Sequence, residues 1–436
     1  MKPTISMNKR ITIILASFCM MSLFLISCEK DYTIPEKELI EREDIVLTRS
    51  QMDFVQSNNR FALDLFKKVS EKEEGKSMVF SPLSVTFALA MVSNGTAGES
   101  QREINTVLGY DGDGIDDLNG FCKTMLKQIT EIDPSTRLEI ANIVLANKEG
   151  VHLKEDYIQT VQNNYDALVC YKDFLKEDVQ NFINQWCEEK THGMIKNFFN
   201  RKITTSDIIL FLNATYFKGV WTNKFKKSDS KKEKFTLEDG NKISVNMMHQ
   251  QDKFNYGQIG GVCKMMTLPY GNQAFRMVLL LPEEGKTIDD LKNSLDQELW
   301  SKIINDQRGL ETDVKLPSFE TEFGTKPIKD ALRELGMEKV FSFPGAAVAP
   351  GVSLPSLDFS KDFKITDVEH KALIKVDEEG AEAAAITAAI SSSGSNGRPL
   401  EHDSRVFEFH ADRPFIYAIT EVSTGAILFM GQYTGR

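Results

Sequence analysis

The chain has 436 residues, of which 26% are charged and 41% hydrophobic, and its 52 Lys and Arg against 63 Asp and Glu give a formal net charge of -11. That apolar content suffices for a sizeable core, and the acidity argues against a nucleic-acid partner. Length alone suggests two or three domains, yet no Pro/Gly/Ser-rich linker divides the middle and no repeat of solenoid period occurs, so one large domain is expected.

At the N-terminus, Lys2, Lys9 and Arg10 precede an apolar run from Ile11 to Ile26 that ends in Leu25-Ile-Ser-Cys28. A charged n-region, an apolar h-region and small residues at a cleavage site define a secretory signal over residues 1–27, and the run is too short for a comfortable membrane span. Its last four residues resemble a bacterial lipobox, which would make Cys28 the acylated new N-terminus. An ordinary cleaved signal with an incidental cysteine is the alternative. The lipobox implies a protein anchored to the outer membrane by lipid, facing the periplasm or the cell surface. Residues 1–27 carry three basic residues and no acidic one, so without them the charge of -11 becomes -14. Residues 28–50 read as a tether, since Glu29 to Asp44 is acidic and poor in aromatics.

Ser81-Pro82 before Val85 to Val92 reads as a helix N-cap with proline at the first position, and Asn94-Gly95 as the stop. Ser81 and Ser84 then lie at the buried start of a core helix and need partners, because an unpaired buried donor or acceptor costs roughly 1–3 kcal/mol. Cys122, Cys170, Cys187 and Cys263 show neither a CxxC pair nor metal-ligand spacing and read as buried free thiols, with no metal or cofactor implied. The basic run Lys224, Lys226, Lys227, Lys231, Lys232 and Lys234 is interrupted by Asp229 and Glu233, so a solvated loop and strand edge is favoured over a polyanion site. No G-x-S-x-G, H-E-x-x-H or G-x-x-x-x-G-K-[ST] pattern occurs, so the commonest hydrolase, metalloprotease and nucleotide-binding signatures are absent.

Near the C-terminus the strand-like Lys371-Ala-Leu-Ile-Lys-Val-Asp377 runs into Glu378-Glu-Gly-Ala-Glu-Ala-Ala-Ala-Ile-Thr387. Ala381, Ala383, Ala385, Thr387 and Ala389 recur at period two, so one face of an extended segment would carry only small residues. Glu382 falls on the other face. Alanine is a poor strand residue, which suits a loop able to become a strand; a short helix or an alanine-rich linker fits the same residues.

Taken together with Arg413-Pro-Phe-Ile-Tyr417, this segment resembles the reactive-loop hinge of the serpins. Phe80-Ser-Pro-Leu-Ser-Val-Thr-Phe-Ala-Leu-Ala-Met-Val-Ser-Asn-Gly-Thr-Ala-Gly98 and Leu212-Asn-Ala-Thr-Tyr-Phe-Lys-Gly-Val-Trp221 resemble the family's two long motifs. Val245-Asn-Met-Met248, Leu268-Pro-Tyr270, Leu316-Pro317, Leu335-Gly-Met337 and Ile427-Leu-Phe-Met-Gly431 follow in the family's order, so the resemblance runs from about Met52 to Arg436. It implies an α+β fold: one domain over residues 51–436, with three β-sheets, eight or nine helices and an exposed reactive loop over about 378–408. It also implies a monomer that inhibits serine, and also cysteine, endopeptidases by suicide: the protease cleaves the loop, is held as an acyl-enzyme, and is carried along as the loop inserts into the main sheet.

By the same resemblance the hinge comprises Glu378, Gly380, Ala381, Glu382, Ala383, Ala384 and Ala385, with Ala381 exposed until cleavage. Ser81, Ser84, Asn213 and His370 form a shutter beneath the sheet, and Trp221 marks the breach where the loop enters. The scissile bond falls at Gly394-Ser395 or one residue earlier at Ser393-Gly394. Arg398, followed by Pro399, and Arg405 are the alternatives. Small residues there imply a target protease that accepts them. One departure stands out: Ser318 replaces the family's usual lysine after Leu316-Pro317, which leaves Glu378 without its usual partner and should loosen the breach. A non-inhibitory binding protein or a decoy substrate of the same fold is the competing reading.

Overall fold

The computed structural model describes residues 41–73, 75–110, 115–149, 151–203, 207–323, 328–341, 352–353, 369–381 and 405–436. These residues form nine α-helices and three sheets of nine, six and two strands, a mixed α+β fold in one large domain. The signal, Cys28 and the start of the tether lie outside them. Among the described residues no helix is long and apolar enough to cross a membrane.

Helix α1 (Arg49–Lys72) opens on a capping box, in which the Thr48 hydroxyl accepts from Gln51 N–H while the Gln51 side chain accepts from Thr48 N–H. Packing begins earlier: Ile45 is buried and its N–H donates to Ser423 Oγ at 2.9 Å. The folded domain therefore takes in residues that acidity alone assigned to the tether, because Ile45 ends the run of charge and has apolar surface to bury. Strand β1 (Met78–Phe80) leads into α2 (Pro82–Asn94), α3 (Gly98–Val107) and α4 (Ile115–Ile129). α2 has the caps its sequence calls for, with Ser81 Oγ accepting from Ser84 N–H at 3.3 Å and Gly95 after the last turn. It is buried all round from Pro82 to Ser93, which makes it the central helix of the core.

The six-stranded sheet runs in the order β11 (Phe319–Phe323), β13 (Glu369–Asp377), β14 (Gly380–Ala381), β5 (Ile209–Val220), β2 (Arg137–Asn147), β4 (Ala167–Lys172). It is covered on both faces, which is why β5 opens on consecutive apolar residues rather than alternating ones. Ile143, Leu145, Leu210, Leu212 and Leu373 pack with Ile183 and Trp186 of α6 (Val179–Lys190), while Val144, Ala146, Phe211 and Phe217 join the main core with α2. Asn213 and Thr215 alternate with the first set and so point towards α2.

The nine-stranded sheet runs β1, β17 (Ile427–Tyr433), β16 (Phe415–Glu421), β9 (Phe275–Pro282), β8 (Cys263–Tyr270), β7 (Lys242–Ile259), β10 (Arg308–Pro317), β15 (Phe407–His410), with β6 (Lys231–Thr236) paired to β7. The chain changes sheets at Ser318, since β10 pairs with β7 and β11 with β13. β3 (His152–Leu153) and β12 (Val352–Ser353) form the small third sheet, and α5 (Glu155–Tyr165), α7 (Ile288–Ser294), α8 (Gln297–Asn305) and α9 (Lys329–Glu334) complete the domain. All four described cysteines are free; Cys122, Cys187 and Cys263 are buried, but Cys170 on edge strand β4 is only half-buried, contrary to the expectation for it. Burial pushes the Cys187 and Cys263 thiols up to about 12.

Candidate functional site

β13 runs parallel to β5 from the pair Glu369/Leu212 to the pair Leu373/Tyr216, and beyond that point the two strands part. Into the opening comes β14. It pairs antiparallel with β13 at Val376/Ala381 and Asp377/Gly380, and antiparallel with β5 at Gly380/Val220 and Ala381/Gly219. The turn Glu378-Glu379 therefore folds the chain back into its own sheet. Ala381, expected to be exposed, is buried at 0% accessibility and belongs to the main core.

The residues that permit this are small. Gly380 has φ +146, and a Cβ there would strike Gly219 O and lie 2.7 Å from Val220 Cα. A Cβ on Gly219, opposite Ala381, would lie 2.7 Å from the Tyr270 ring. The period-two pattern of alanines is the ground for expecting the segment to enter a sheet, and Gly380 and Ala381 are its described residues. That these two have already entered depends on Gly219 and on the turn.

The segment after β5 holds the turn. Trp221 N–H donates to Glu379 O at 2.9 Å, Phe225 N–H to Glu378 O at 3.0 Å, and Trp221 Nε1 to Asp377 O at 2.9 Å. The indole is stacked on Tyr270 at 4.3 Å between centroids. The Glu379 carboxylate meets Lys224 Nζ at 2.7 Å and Lys227 Nζ at 3.6 Å, and Lys224 above all holds it below the ordinary carboxylate range. Lys224 and Lys227, expected in a solvated run, thus contact the hinge; Lys226, Lys231, Lys232 and Lys234 are exposed as expected.

Glu378 is not left without a partner by Ser318. Asn246 Nδ2 donates to Glu378 Oε1 at 3.1 Å and to Ser318 Oγ at 3.2 Å, and Ser318 N–H donates to Asn246 O at 2.8 Å. An amide from β7 stands in for the absent ammonium. Burial pushes the Glu378 carboxyl up, but the Ser230 hydroxyl and Asn246 beside it, with Lys227 nearby, hold it below the ordinary range.

Beneath the parallel stretch of β13 and β5 lies a buried polar chain. Ser81 N–H donates to His370 Nε2 at 3.0 Å, and His370 pairs in register with Asn213. Ser84 Oγ is hydrogen-bonded to Thr215 Oγ1, which donates to Asn213 Oδ1 at 2.9 Å. Asn213 Nδ2 reaches Asn142 Oδ1 at 2.7 Å, and Asn142 Nδ2 reaches Tyr165 O at 2.7 Å. The four residues named from sequence are brought together, with Thr215 and Asn142 added. Thr215 is legible as a second polar residue two positions after Asn213; Asn142, on another strand, carries no signal. Burial pushes His370 down to about 3, so the imidazole in this chain is neutral near physiological pH.

Glu382, Ala383, Ala384, Ala385, Ser393, Gly394, Ser395 and Arg398 lie outside the described residues. Arg405 is exposed, with its guanidinium 5.6 Å from the centre of the Phe407 ring at the start of β15.

The family model for serpins, serine protease inhibitors, matches residues 56–435. The chain belongs to the serpin family. It is 32% identical to human Serpin B3 over 87% of this chain and 98% of that one, and 32% identical to rat leukocyte elastase inhibitor A over 86% and 97%. An uncharacterized serpin-like protein of Methanosarcina acetivorans is 30% identical over 98% of both chains. Among solved structures, the thermophilic serpin Tengpin in its native state superposes with a TM-score of 0.78 at 26% identity, covering 90% of this chain and 96% of that one. Human thyroxine-binding globulin, solved in complex with thyroxine, shares the fold at a TM-score of 0.75 and 22% identity, covering 88% of this serpin and 98% of itself. Many serpin relatives are protease inhibitors, while thyroxine-binding globulin shows that the fold also serves a binding protein.

Proposed function

We propose that this serpin is a suicide-type inhibitor of serine, and also cysteine, endopeptidases. The observation that carries the reading is the seating of Gly380 and Ala381 between β13 and β5, at the head of a hinge whose next small positions are Ala383 and Ala385. The protease nucleophile attacks the carbonyl of Gly394, the bond to Ser395 breaks, and the Ser395 amine leaves with the C-terminal piece. The acyl bond then ties the protease to residue 394. As the freed loop extends β14, one parallel ladder between β13 and β5 is replaced by two antiparallel ones, which are slightly more stable per residue. About ten new backbone hydrogen bonds at roughly 1 kcal/mol each give on the order of 10 kcal/mol. That only equals the stability of a typical protease, roughly 5–15 kcal/mol, so strain released from the native fold contributes to distorting the captured enzyme.

Small residues around 391–397 suit an elastase-like, subtilisin-like or papain-like enzyme and offer no large anchor to others. Arg398 is followed by Pro399, and Arg405 lies so far along the loop that a cut there would leave too long an inserted strand and too slack a trap. A binding-protein role is disfavoured because the hinge carries no proline and no large residue among Gly380 to Ala385 other than Glu382, which falls on the opposite face from the alanines. A decoy substrate differs only in the fate of the protease. The test is denaturing electrophoresis of the mature domain mixed with such proteases: a covalent complex is expected, with a released fragment beginning at Ser395 or Gly394. Cleavage and release without a complex would leave a substrate; a fragment beginning at Pro399 or Val406 would move the reactive bond.

The proposal extends to location: a lipid on Cys28 holds the inhibitor at the outer membrane, with an acidic tether before the domain. Cys28→Ser is expected to shift the protein from the membrane pellet to the soluble fraction. Retention in the pellet would count against the lipid anchor.

A further inference from the structure

The six-stranded sheet ends at β4, whose only ladder among the described residues is the parallel one with β2. Lys148 N–H donates to Lys172 O at 2.9 Å, so the backbone groups of Lys172, and with them those of Cys170 and Leu168, turn towards β2. Those of Ala167, Val169 and Tyr171 turn outward, and no described residue bonds to them. An open edge of this kind is a template for another strand, and proteins commonly blunt it with a charge, a proline or a bulge. Ala167-Leu-Val-Cys-Tyr171 carries none of these. Its surface is also apolar. Leu168, Tyr171 and Leu175 are exposed, and among the described residues the only other large hydrophobic side chains so exposed are Val46 and Val406.

We propose that β4 is a self-association surface: two copies of this chain pair their β4 strands antiparallel across a two-fold axis at Val169, joining two six-stranded sheets into one. The result is a dimer, where the family resemblance implies a monomer. Charge selects a second copy as the occupant. About Val169 the ladder sets Ala167 opposite Tyr171 of the other copy and Leu168 opposite its Cys170, and Lys172 meets Asp166 at both ends. An apolar centre closed by opposite charges is complementary to itself, as a two-fold contact requires. Moving the axis to Cys170 keeps the outward groups facing one another but sets Lys172 opposite Leu168 and leaves Asp166 unmatched. Lys172 Nζ already meets Glu177 at 3.1 Å, whereas the exposed Asp166 carboxylate has no partner among the described residues, so the end pair gives Asp166 a cation that its own chain does not. The pairing is independent of the loop-insertion and lipid-anchor readings above.

The experiment is sedimentation velocity on the intact chain from about 1 to about 300 µM, with Cys28→Ser to keep it soluble and a thiol reductant present. A short interface gives a weak dimer, so the sedimentation coefficient is expected to rise across this range from that of a monomer to that of a dimer and to stop there. Val169→Pro removes an outward N–H that no bond within the chain uses, a change that an edge strand tolerates, and is expected to weaken dimerisation at least about tenfold. Leu168→Lys, at an exposed position, brings like charges together across the axis and is expected to do the same with an unchanged melting temperature. In a Cys170→Ser chain, Val169→Cys is expected to form a disulfide between copies on mild oxidation, since the Cα atoms of a hydrogen-bonded antiparallel pair stand about 5.5 Å apart. A monomer at every concentration, open-ended association in place of a dimer, or undiminished dimerisation by Leu168→Lys would overturn the surface. A parent that dimerises while Val169→Cys fails to cross-link would overturn the register.

Discussion

Ala381→Arg is expected to convert the protein from a trap into a substrate: proteases cut the loop at an undiminished rate, but the yield of covalent complex on a denaturing gel falls at least about a hundredfold. Ala381 is fully buried opposite Gly219, beside the Trp221 and Tyr270 stack. An unpaired guanidinium at that position costs several kcal/mol, and every roughly 1.4 kcal/mol added to a barrier slows a step tenfold. The domain itself should still fold, because the hinge can swing out of the sheet and surrender only the short ladders of β14. The variant is therefore expected to melt a few degrees below its parent. Undiminished complex formation would show that Ala381 does not have to enter the sheet for trapping.

Cleavage within the loop is expected to raise the melting temperature by roughly 20 °C, on the basis of about 10 kcal/mol of added strand pairing and about 2 °C per kcal/mol for a domain of this size. The gain comes from completing what β14 begins: β13 and β5 stop pairing with each other and each acquires a full antiparallel neighbour. Scanning calorimetry of the intact and papain-nicked protein measures it directly. A nicked form that melts at or below the intact one would place this chain with the binding proteins of the family.

Features written locally in the chain are legible from its sequence alone. The caps of α2 follow from Ser81-Pro82 and Gly95, since capping needs only residues three or four apart. The buried polar chain is half visible for the same reason: Asn213 and Thr215 alternate within one strand, whereas Asn142 joins them only through strand pairing. Ser318 misleads because its partner, Asn246, comes from another strand some seventy residues earlier. The burial of Ala381 depends on Gly219 more than about 150 residues earlier. What the sequence does not supply in each case is the register of distant strands.

A strand that has already entered changes a contest between two clocks. Hydrolysis of an acyl-enzyme, set by ordinary turnover numbers, takes roughly a millisecond to a second. A β-hairpin closes in about 1–10 µs, most of it spent finding the turn and the first cross-strand pairs. In this protein the turn at Glu378-Glu379 is made and the first pairs at Gly380 and Ala381 are in place before any protease arrives. On the inhibitor reading proposed above, nucleation is thereby removed from the race, and zippering can start the instant the bond is cut. What remains to compete with hydrolysis is the drag of hauling a protease-sized load, so larger targets should escape more often than smaller ones of equal reactivity.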